Sequence, residues 1–541
     1  MAGPETGPEP TAETTAETTG AQVLLRTLVD AGVDVCFANP GTSEMHLVAA
    51  LDAEPRMRAV LTLFEGVATG AADGYARMAD KPAATLLHLG PGLANGTANL
   101  HNARRAGTPV VNVVGDHALD HKPLDAPLES DVAPGAAREG GGAPGGRAPG
   151  AGGGTPAAGG AGAGAPPPAV STLLVPADVA WTSAAGLEPG TVPPPAAPGR
   201  GALDADGLES AAKALWSGEP CTLLVGGTGL RERGLVAAHR IAVATGARVL
   251  AECFPTRLER GAGVPPISRL AYPGDVARKQ LEGTTHLVLA GAASPVTFFG
   301  YPGKEGDLVP EGATVHRVTE IGAAGTVALE ALADLVAADV TDVPRAEAAP
   351  PALPSGPLTV QTAAEVVGAL LPEGAIVVDE SVTSGASLPQ ATAGSARHDW
   401  LTLTGGAIGF GLPAATGAAV ACPDRPVWCL QADGSAMYTI SALWTHAREN
   451  LDITTVVYDN GAYAILRGEL LGVGASLPAN SPSRSLLDLG SPRLDFVALA
   501  TGMGVPAVRA TTAEELADAL RRAAAEPGPH LVAAQVPPLV P

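Results

Sequence analysis

The sequence is poor in several residue types, and each shortage excludes a class of protein. Only 3% of its 541 residues are aromatic and 16% are charged. Its five cysteines are scattered without a CxxC pair, which excludes a disulfide framework and is typical of a reducing compartment. No uninterrupted apolar run reaches the length of about 20 residues that a membrane helix needs, so we expect no membrane span.

Basic residues are also scarce. The chain has 33 Lys and Arg residues against 55 Asp and Glu residues, a net charge of −22. Such a balance argues against nucleic acid or an anionic membrane as a partner. Residues 1–19 are mostly Thr, Glu, Pro and Ala without an apolar core, which indicates a disordered tail rather than a signal peptide. We therefore predict a cytoplasmic protein.

Three segments rich in Gly, Ala or Pro divide the chain. The longest, residues 133–168, cannot bury enough apolar surface to offset its ordering entropy and is predicted to be a flexible insert. Residues 193–200 and 344–357 are predicted linkers. The three globular parts are then residues 20–190, 200–343 and 358–541, in line with roughly 150 residues per domain.

Apolar strand patterns alternate with helical patterns in each part. This alternation predicts an α/β fold of three domains, each a parallel sheet flanked by helices, with a Rossmann-like domain in the middle. Open sheets of this type bind ligands at the carboxyl ends of their strands. Candidate site residues are therefore sought where the strands end.

One stretch near the C-terminus has chemistry at two strand ends. Val427–Leu430 is a predicted strand that ends before Asp433, a helix is predicted from Ala436 to Arg448, and the next strand, Ile453–Tyr458, ends before Asn460. Asp433 and Asn460 are 27 positions apart, about the size of one βαβ unit of roughly 30 residues. We expect both side chains at the ends of adjacent parallel strands.

A carboxylate and an amide oxygen at one sheet edge suit Mg²⁺, which prefers oxygen ligands and phosphate oxygens. The helix start at Gly434 and Ser435 offers N–H groups to a phosphate. The pattern therefore predicts a metal-bridged diphosphate site. The alternative is that Asp433 only caps a helix and Asn460 only forms a turn.

This stretch resembles the thiamin-diphosphate-binding motif, which begins with Gly-Asp-Gly and ends with Asn-Asn. The resemblance implies that Asp433, Asn460 and the backbone carbonyl of Ala462 bind the metal. Two positions depart from the motif. Ala432 replaces the first glycine, and Asp459 replaces the first of the two asparagines, adding a negative charge beside the diphosphate.

Two segments of the first part carry the same resemblance. They are NPGTSE at residues 39–44 and FEGVATGAADGYAR at residues 64–77. The resemblance implies that Glu65 contacts a pyrimidine nitrogen of the cofactor and that Thr42 and His88 lie near the substrate. Taken alone, Glu65 is also a favourable residue for a helix N-terminus, and His88 is also compatible with an ordinary core or surface position.

The last part supplies the remaining cofactor contacts that the resemblance implies. Residues Ser381, Val382 and Thr383 would contact the diphosphate. The carbonyl of Gly406 and the N–H of Ile408 would meet the aminopyrimidine, with the Ile408 side chain wedged between the two cofactor rings. Ordinary core packing is the alternative for Ile408.

Three residues after the metal motif would face the substrate. They are Tyr463, which also belongs to the predicted cofactor contacts, Leu466 and Glu469. One member of the family that the chain resembles is benzoylformate decarboxylase. That enzyme is apolar at the position that matches Glu469, and a charge there disfavours a phenyl ring. Phe298 and Phe299 stand where that enzyme has a catalytic histidine.

The middle part contains a strand followed by the turn Gly226-Gly227-Thr228-Gly229. The turn does not match GxGxxG, and glycine clusters alone are weak signals for a nucleotide. The Arg-Phe-Asp-Asp-Arg segment of FAD-containing acetolactate synthases is absent. FAD stays open as a cofactor but is not supported by a motif.

The resemblance implies a thiamin-diphosphate- and Mg²⁺-dependent enzyme of the acetolactate synthase and benzoylformate decarboxylase type. We favour an acetolactate synthase-like conversion of two pyruvates into 2-acetolactate and CO₂, because neither a phenyl pocket nor the relay histidine is evident. The alternatives are a non-ligating 2-oxo acid decarboxylase, a non-catalytic homologue, and a flavin or nicotinamide protein. Glu65 and Asp433 belong to domains that meet across a dimer interface in the family, which implies a homodimer or homotetramer.

Overall fold

The computed structural model describes residues 18–131, 170–184, 203–322 and 324–540. Most of the predicted tail, the predicted insert 133–168 and the predicted linker 193–200 lie outside these ranges. The predicted linker 344–357 is described and contains no helix or strand. It packs against other segments, because Ala346 N donates to Val264 O and Ala349 N donates to Gly394 O, both at 2.9 Å.

The first sheet has five parallel strands in the order β2-β1-β3-β4-β5. The central strands are buried along their whole length, as expected for a sheet covered by helices on both faces. The strands are β1 Val35–Asn39, β2 Arg58–Leu61, β3 Ala83–Leu87, β4 Val110–Asp116 and β5 Val170–Pro176. The helices are α1 Gly20–Asp30, α2 Met45–Leu51, α3 Glu65–Ala79, α4 Leu89–Ala106 and α5 Ala177–Trp181.

The middle sheet also has five parallel strands, in the order β11-β10-β6-β7-β9. Its strands are β6 Cys221–Val225, β7 Arg248–Ala251, β9 Ser268–Arg269, β10 His286–Ala290 and β11 Thr314–Thr319. Its helices are α6 Ala205–Leu215, α7 Glu232–Thr245, α8 Gly274–Leu281 and α9 Gly325–Val336.

The last sheet has seven strands in the order β16-β17-β15-β14-β12-β13-β8. The strands are β8 Leu258–Arg260, β12 Ala375–Glu380, β13 His398–Thr402, β14 Val427–Ala432, β15 Ile453–Asp459, β16 Ala507–Ala510 and β17 His530–Gln535. The helices are α10 Val360–Leu370, α11 Leu388–Ala391, α12 Gly411–Ala421, α13 Asp433–Ala436, α14 Ala442–Arg448, α15 Ala464–Gly472, α16 Pro482–Leu486, α17 Phe496–Gly502 and α18 Ala513–Ala525.

The α/β fold class is confirmed, with one feature that the sequence did not predict. Strand β8 comes from the middle part of the chain but pairs antiparallel with β13 of the last sheet, for example through Leu258 and Trp400. This pairing covers the edge of β13, which would otherwise expose unpaired backbone groups. The middle part is therefore joined to the last sheet by backbone hydrogen bonds.

Helices α3 and α12 join the first and last parts at very close range. A Cβ atom on Gly74 would lie 2.1 Å from Ala414 O, and one on Gly417 would lie 1.9 Å from Ala71 O. Glycine at these positions lets the two helix backbones meet. The run of small residues that follows Glu65 in the sequence thus forms a helix–helix joint.

The predicted single helix from Ala436 to Arg448 is wrong. The structure has two short helices, α13 and α14, separated by turn residues 437–441. Within this turn Thr439 Oγ1 donates to Gly409 O at 3.1 Å, and the Tyr438 side chain lies against Gly409. The backbone of the turn makes i→i+3 bonds, such as that from Thr439 N to Ala436 O at 3.3 Å, in place of the i→i+4 bonds of a continuous helix.

No helix in the described ranges combines the length and the apolarity that a membrane crossing requires.

The buried His446 makes stability depend on pH. It is fully buried between α14 and α12, where Nε2 contacts Leu412 O and Thr416 Oγ1, and burial lowers its pKa to about 4. Because an unfolded histidine titrates near 6.5, protonation favours the unfolded chain as the pH falls from about 6.5 towards 4. This costs up to about 2 kcal/mol at pH 5.

We expect His446→Gln to reduce the loss of stability between pH 7 and pH 5, measured by urea unfolding at both values. The exposed His121→Gln serves as the matched control and should keep the full dependence. An identical pH dependence in His446→Gln and the unmodified chain would contradict this assignment.

Candidate functional site

Asp433 and Asn460 come together at the ends of β14 and β15. These strands are parallel neighbours, with Ala432 paired to Tyr458, as the sequence predicts. Asp433 Oδ2 accepts from the backbone N–H groups of Asn460 at 3.0 Å and Gly461 at 2.7 Å. One carboxylate thus ties the end of its own strand to the turn that follows the next strand.

The side chain of Asn460 extends this connection. Its Oδ1 accepts from Ala462 N at 2.8 Å, and its Nδ2 donates to Ser384 Oγ at 3.1 Å. Ser384 lies in a 3₁₀ helix, Val382–Gly385, directly after β12. The ends of β12, β14 and β15 therefore meet at one edge of the sheet.

The charge of Asp433 fits a divalent cation at this edge. The residue is buried, and burial raises the pKa of its carboxyl to about 6. Among the residues that the structure describes, no cationic side chain pairs with it. Nor does any group of three or more His, Cys, Asp or Glu side chains there form a metal cluster, so a metal here would depend on the oxygens of Asn460 and Ala462 as well as on Asp433.

The unusual Asp459 is neutralised by an arginine. Its carboxylate accepts from Arg493 Nε at 3.0 Å and is paired with Arg493 Nη2 at 3.0 Å, and Nη2 also donates to Asp459 O. Only 4% of the Asp459 side chain is exposed. From the sequence, Asp459 is expected to add a negative charge beside the diphosphate. Arg493, to which no sequence motif points, offsets this charge from a loop 34 positions away.

That loop also supports the turn at residues 459–463 by its backbone. Leu489 N donates to Gly461 O at 2.8 Å, and Tyr463 N donates to Leu487 O at 3.0 Å. The predicted ligand Ala462 lies between these two bonds. The loop therefore holds the conformation of residues 459–463.

The predicted diphosphate residues 381–383 follow β12, but they differ in orientation. Ser381 Oγ points back and donates to Asp379 Oδ1 at 2.5 Å. Val382 has a left-handed backbone with φ +51° and is 40% exposed, a strained conformation for a β-branched residue. Ser384, which was not predicted, contacts Asn460 instead.

Gly434 and Ser435 lie in the four-residue helix α13. Gly434 N donates to Asp433 Oδ1 at 2.8 Å, and a Cβ atom at Gly434 would lie 2.4 Å from Cε1 of Tyr463. Ser435 is buried, and its Oγ accepts from Gln431 Nε2 at 2.6 Å. Glycine is therefore required at 434 because the Tyr463 ring packs against its backbone.

The loop with Gly406 and Ile408 is held on both sides. Asn102 donates to Ala407 O at 2.8 Å and accepts from Ala407 N at 3.2 Å. The buried Glu380 accepts from Gly409 N at 2.7 Å. Neither Asn102 nor Glu380 is predicted to contribute to the site from the sequence. Together they fix the backbone that carries the half-buried Ile408.

Glu65 begins α3 and is buried. Its Oε2 accepts from Asn95 Nδ2 at 3.0 Å. A Cβ atom at Gly92 would lie 3.1 Å from its Oε1, so α4 packs against this carboxyl group. Asn95 orients the predicted catalytic carboxyl and was not found from the sequence.

His88 contacts two residues that follow the first strand. Its Nδ1 lies 2.8 Å from Glu44 Oε2 and 3.2 Å from Ser43 Oγ, whereas Thr42 is exposed at the start of a 3₁₀ helix, Thr42–Glu44. Glu44 is fully buried and also accepts from Gly41 N at 2.9 Å. Glu44 could have been found from the sequence, because it is an acidic residue that closely follows the end of β1.

Aromatic rings from the middle part lie over the Gly406 turn. Phe298 packs on Tyr272 at 5.3 Å between ring centroids, and a Cβ atom on Gly406, which has φ +75°, would lie 2.3 Å from Cζ of Phe298. Glu469 accepts from the Tyr272 hydroxyl at 3.2 Å and also from the Tyr301 hydroxyl. We call these four residues, Tyr272, Phe298, Tyr301 and Glu469, the acidic wall. It is aromatic where Phe298 covers Gly406 and acidic at Glu469.

The glycine turn of the middle part already has a partner. Gly227 N donates to Glu252 Oε1 at 3.1 Å, and burial raises the pKa of Glu252 to about 7. A carboxyl group thus occupies a backbone N–H of the kind that binds the phosphates of a dinucleotide in Rossmann turns. This arrangement does not favour a flavin.

Comparisons with known proteins agree with this geometry. Residues 18–133 match the family described as thiamine pyrophosphate enzyme, N-terminal TPP binding domain, and residues 385–534 match its C-terminal TPP binding domain. The chain is 60% identical over 521 residues to the "Putative acetolactate synthase large subunit IlvX" of Mycobacterium tuberculosis, covering 96% of this chain and 99% of that protein.

The chain is also similar to decarboxylases over almost its whole length. The chain is 32% identical to a benzoylformate decarboxylase of Pseudomonas aeruginosa, covering 93% of this chain and 96% of that protein. Among solved structures, a thiamine diphosphate-dependent 4-hydroxybenzoylformate decarboxylase of Rhodococcus jostii RHA1 superposes with a TM-score of 0.81. It is 25% identical and covers 96% of this chain and 99% of that one.

Arg493→Ala should leave the buried Asp459 carboxylate without its cation. We expect a lower thermal unfolding midpoint and a weaker Mg²⁺-dependent binding of thiamin diphosphate, because an unpaired buried charge is strongly destabilising. Calorimetric titration and thermal unfolding measure the two effects. The double variant Asp459→Asn/Arg493→Ala removes both charges and should recover most of each, whereas an Arg493→Ala variant that matches the unmodified chain would refute this role.

Proposed function

Because the chain belongs to the thiamine pyrophosphate enzyme family, we propose that it decarboxylates a 2-oxo acid and joins the product to a second 2-oxo acid, in the manner of an acetolactate synthase. In its simplest form two pyruvates give 2-acetolactate and CO₂. The observation that carries the proposal is the contact between Asp433 and the Asn460 turn at adjacent strand ends. The 60% identity to a protein with an acetolactate synthase name supports it.

Mg²⁺ would be held by Asp433, Asn460 and the carbonyl of Ala462. The Asp433 carboxylate supplies the charge, and the Asp459–Arg493 pair keeps a second negative charge from acting on the same edge. Val382 and Thr383 lie beside this edge with the backbone of Gly434, where the diphosphate would bind. These residues provide both the charge and the oxygen ligands that Mg²⁺ prefers.

When bound, thiamin diphosphate supplies the carbon nucleophile and the electron sink for decarboxylation. Glu65 of one copy of the chain holds a proton or a hydrogen bond at the pyrimidine end of the cofactor whose diphosphate lies on the other copy, and Asn95 fixes the direction of its carboxyl group. The Gly406 carbonyl and the Ile408 N–H orient the same ring, because Asn102 and Glu380 hold the loop between them. The protein thus contributes orientation and proton placement.

His88 is the proposed proton carrier at the substrate end. Glu44 contacts its Nδ1, which leaves Nε2 as the nitrogen that faces the substrate. The buried Glu44 carboxylate fixes the orientation of the imidazole ring through this contact. Thr42 stays a proposed substrate contact on the exposed side of this turn.

The acidic wall favours a small 2-oxo acid over benzoylformate. Phe298 covers Gly406, and Glu469 with two tyrosine hydroxyls lies beyond it. A phenyl group placed against this carboxylate would remove the water that the two tyrosine hydroxyls do not replace, and the ring offers no hydrogen bond in exchange. A methyl group as small as that of pyruvate leaves the carboxylate hydrated.

A second candidate is a decarboxylase that does not ligate. The similarity to benzoylformate decarboxylase over almost the whole chain favours it. A non-catalytic homologue is less well supported, because Arg493 offsets the charge of Asp459 that motivated it.

We further propose that the active enzyme is a cytoplasmic homodimer or homotetramer. The large apolar side chains of Val382, Tyr438 and Leu466 are exposed around the proposed cofactor site. A second copy of the chain that brings its Glu65 to this edge would cover them. Exposed apolar patches of this kind mark protein interfaces.

A panel of 2-oxo acids tests the proposal. CO₂ release and the coupled product are scored with thiamin diphosphate and Mg²⁺ present, and pyruvate is expected to yield acetolactate. Glu65→Gln should lower turnover at least 100-fold, because general acid–base groups typically contribute 10²–10⁴. The exposed Glu347→Gln is the control and should keep full turnover, whereas an unchanged rate in Glu65→Gln would refute its assigned role.

The acidic wall predicts a change of preference in Glu469→Leu. We expect the ratio of kcat/KM for benzoylformate to that for pyruvate to rise about tenfold, because the apolar wall then favours a ring over water. Tyr301→Phe keeps the carboxylate and should leave the ratio almost unchanged. Equal ratios in Glu469→Leu and the unmodified enzyme would show that Glu469 does not face the substrate.

A further inference from the structure

A second cavity lies between the middle part and the last part and borders the wall of the proposed site at Tyr272. Its volume is about 720 Å³, and its walls come from the segment 253–272, Gln280, Ala346 and helix α11. None of the residues proposed to hold the metal or the diphosphate lines it. Small-molecule sites usually enclose roughly 300–1,000 Å³, so the cavity is of a suitable size for a ligand.

Two charged side chains line the cavity, those of Arg260 and Arg269, and no acidic residue lines it. This is unexpected in a chain with a net charge of −22. Arg260 donates from Nη2 to Pro389 O at 2.5 Å and lies over the Trp400 ring at 5.1 Å. Arg269 lies on the edge strand β9.

Neither guanidinium group is neutralised. Within the described ranges, neither arginine forms an ion pair, and the Arg269 guanidinium makes no hydrogen bond. Burial and the charge of Arg269 lower the pKa of Arg260 to about 10. The neighbouring Cys253 stays a neutral thiol, because burial raises its pKa to about 11. The two cations therefore repel each other across a space that contains no anionic side chain.

The acidic group that acts on Arg260 is already engaged elsewhere. Asp379 Oδ1 accepts from Ser381 Oγ, and its Oδ2 accepts from Trp400 Nε1 at 3.1 Å. Asp379 does not line the cavity. It therefore attracts Arg260 from a distance, and the acceptor that Arg260 has at the cavity wall is the uncharged carbonyl of Pro389.

We propose that this cavity binds the phosphate group of a small organic molecule. Two guanidinium forks match the geometry of phosphate oxygens, and the exposed hydroxyl of Ser268 adds a donor at the mouth. Val264 and Leu270 supply apolar walls for the organic part of the ligand. A bound dianion removes the repulsion between Arg260 and Arg269.

Titration with inorganic phosphate tests the site in the holoenzyme. Thiamin diphosphate and Mg²⁺ are kept saturating so that the cofactor site cannot take the added phosphate, and chloride keeps the ionic strength constant. We expect a saturable rise in the thermal unfolding midpoint, as for a ligand that binds only the folded state. Arg269→Gln should weaken the apparent phosphate affinity at least tenfold, and Arg269→Lys should recover part of the loss.

Matched controls separate this site from general charge effects. Arg509→Gln removes an arginine at the opposite edge of the last sheet and should leave phosphate affinity unchanged. Arg260→Gln is a second cavity variant and should weaken phosphate as Arg269→Gln does. The proposal would be overturned if both cavity variants kept the phosphate affinity of the unmodified chain. It would also be overturned if chloride alone raised the thermal unfolding midpoint as much as phosphate does. A stronger response to succinate than to phosphate would overturn the phosphate assignment.

Discussion

The proposed active site depends on one buried carboxylate, that of Asp433. Its Oδ2 accepts from two successive backbone N–H groups of the turn after β15, so a side chain continues the connection between β14 and β15 beyond their last sheet pair. Buried N–H groups need an acceptor, and Asp433 supplies it. The same contact places Asn460 beside the 3₁₀ helix after β12, so three strand ends form one edge.

Buried carboxylates repeat this role elsewhere around the site. Glu380 accepts from Gly409 N, Phe410 N and Gly411 N and so fixes the turn before α12. Glu44 accepts from Gly41 N and contacts His88. In each case oriented backbone N–H groups meet the carboxyl oxygens in place of water. For Asp433 and Glu380 these N–H groups oppose the rise in pKa that burial causes. Asp459 is the exception, because its compensation comes from the guanidinium of Arg493.

The joint between the first and last parts decides where Glu65 lies. Close packing of α3 against α12 requires glycine at positions 74 and 417, because a Cβ at either would overlap backbone. Asn99 then donates to Gly409 O, and Asn102 bonds to the backbone of Ala407. The helices that carry Glu65 and Asn95 are thereby connected to the loop that carries Ile408.

The sequence by itself determined the α/β class, the strand ends and the adjacency of Asp433 and Asn460, because these follow from local periodicity and from the length of one crossover. Only the tertiary structure decided which distant residues contact these strand ends and which strand pairs with the edge of the last sheet. Arg493 reaches Asp459 from 34 positions away, and β8 leaves its own part of the chain to pair with β13. Such contacts join segments whose separation no local pattern encodes, and the physical reason is that burial, not spacing, selects their partners.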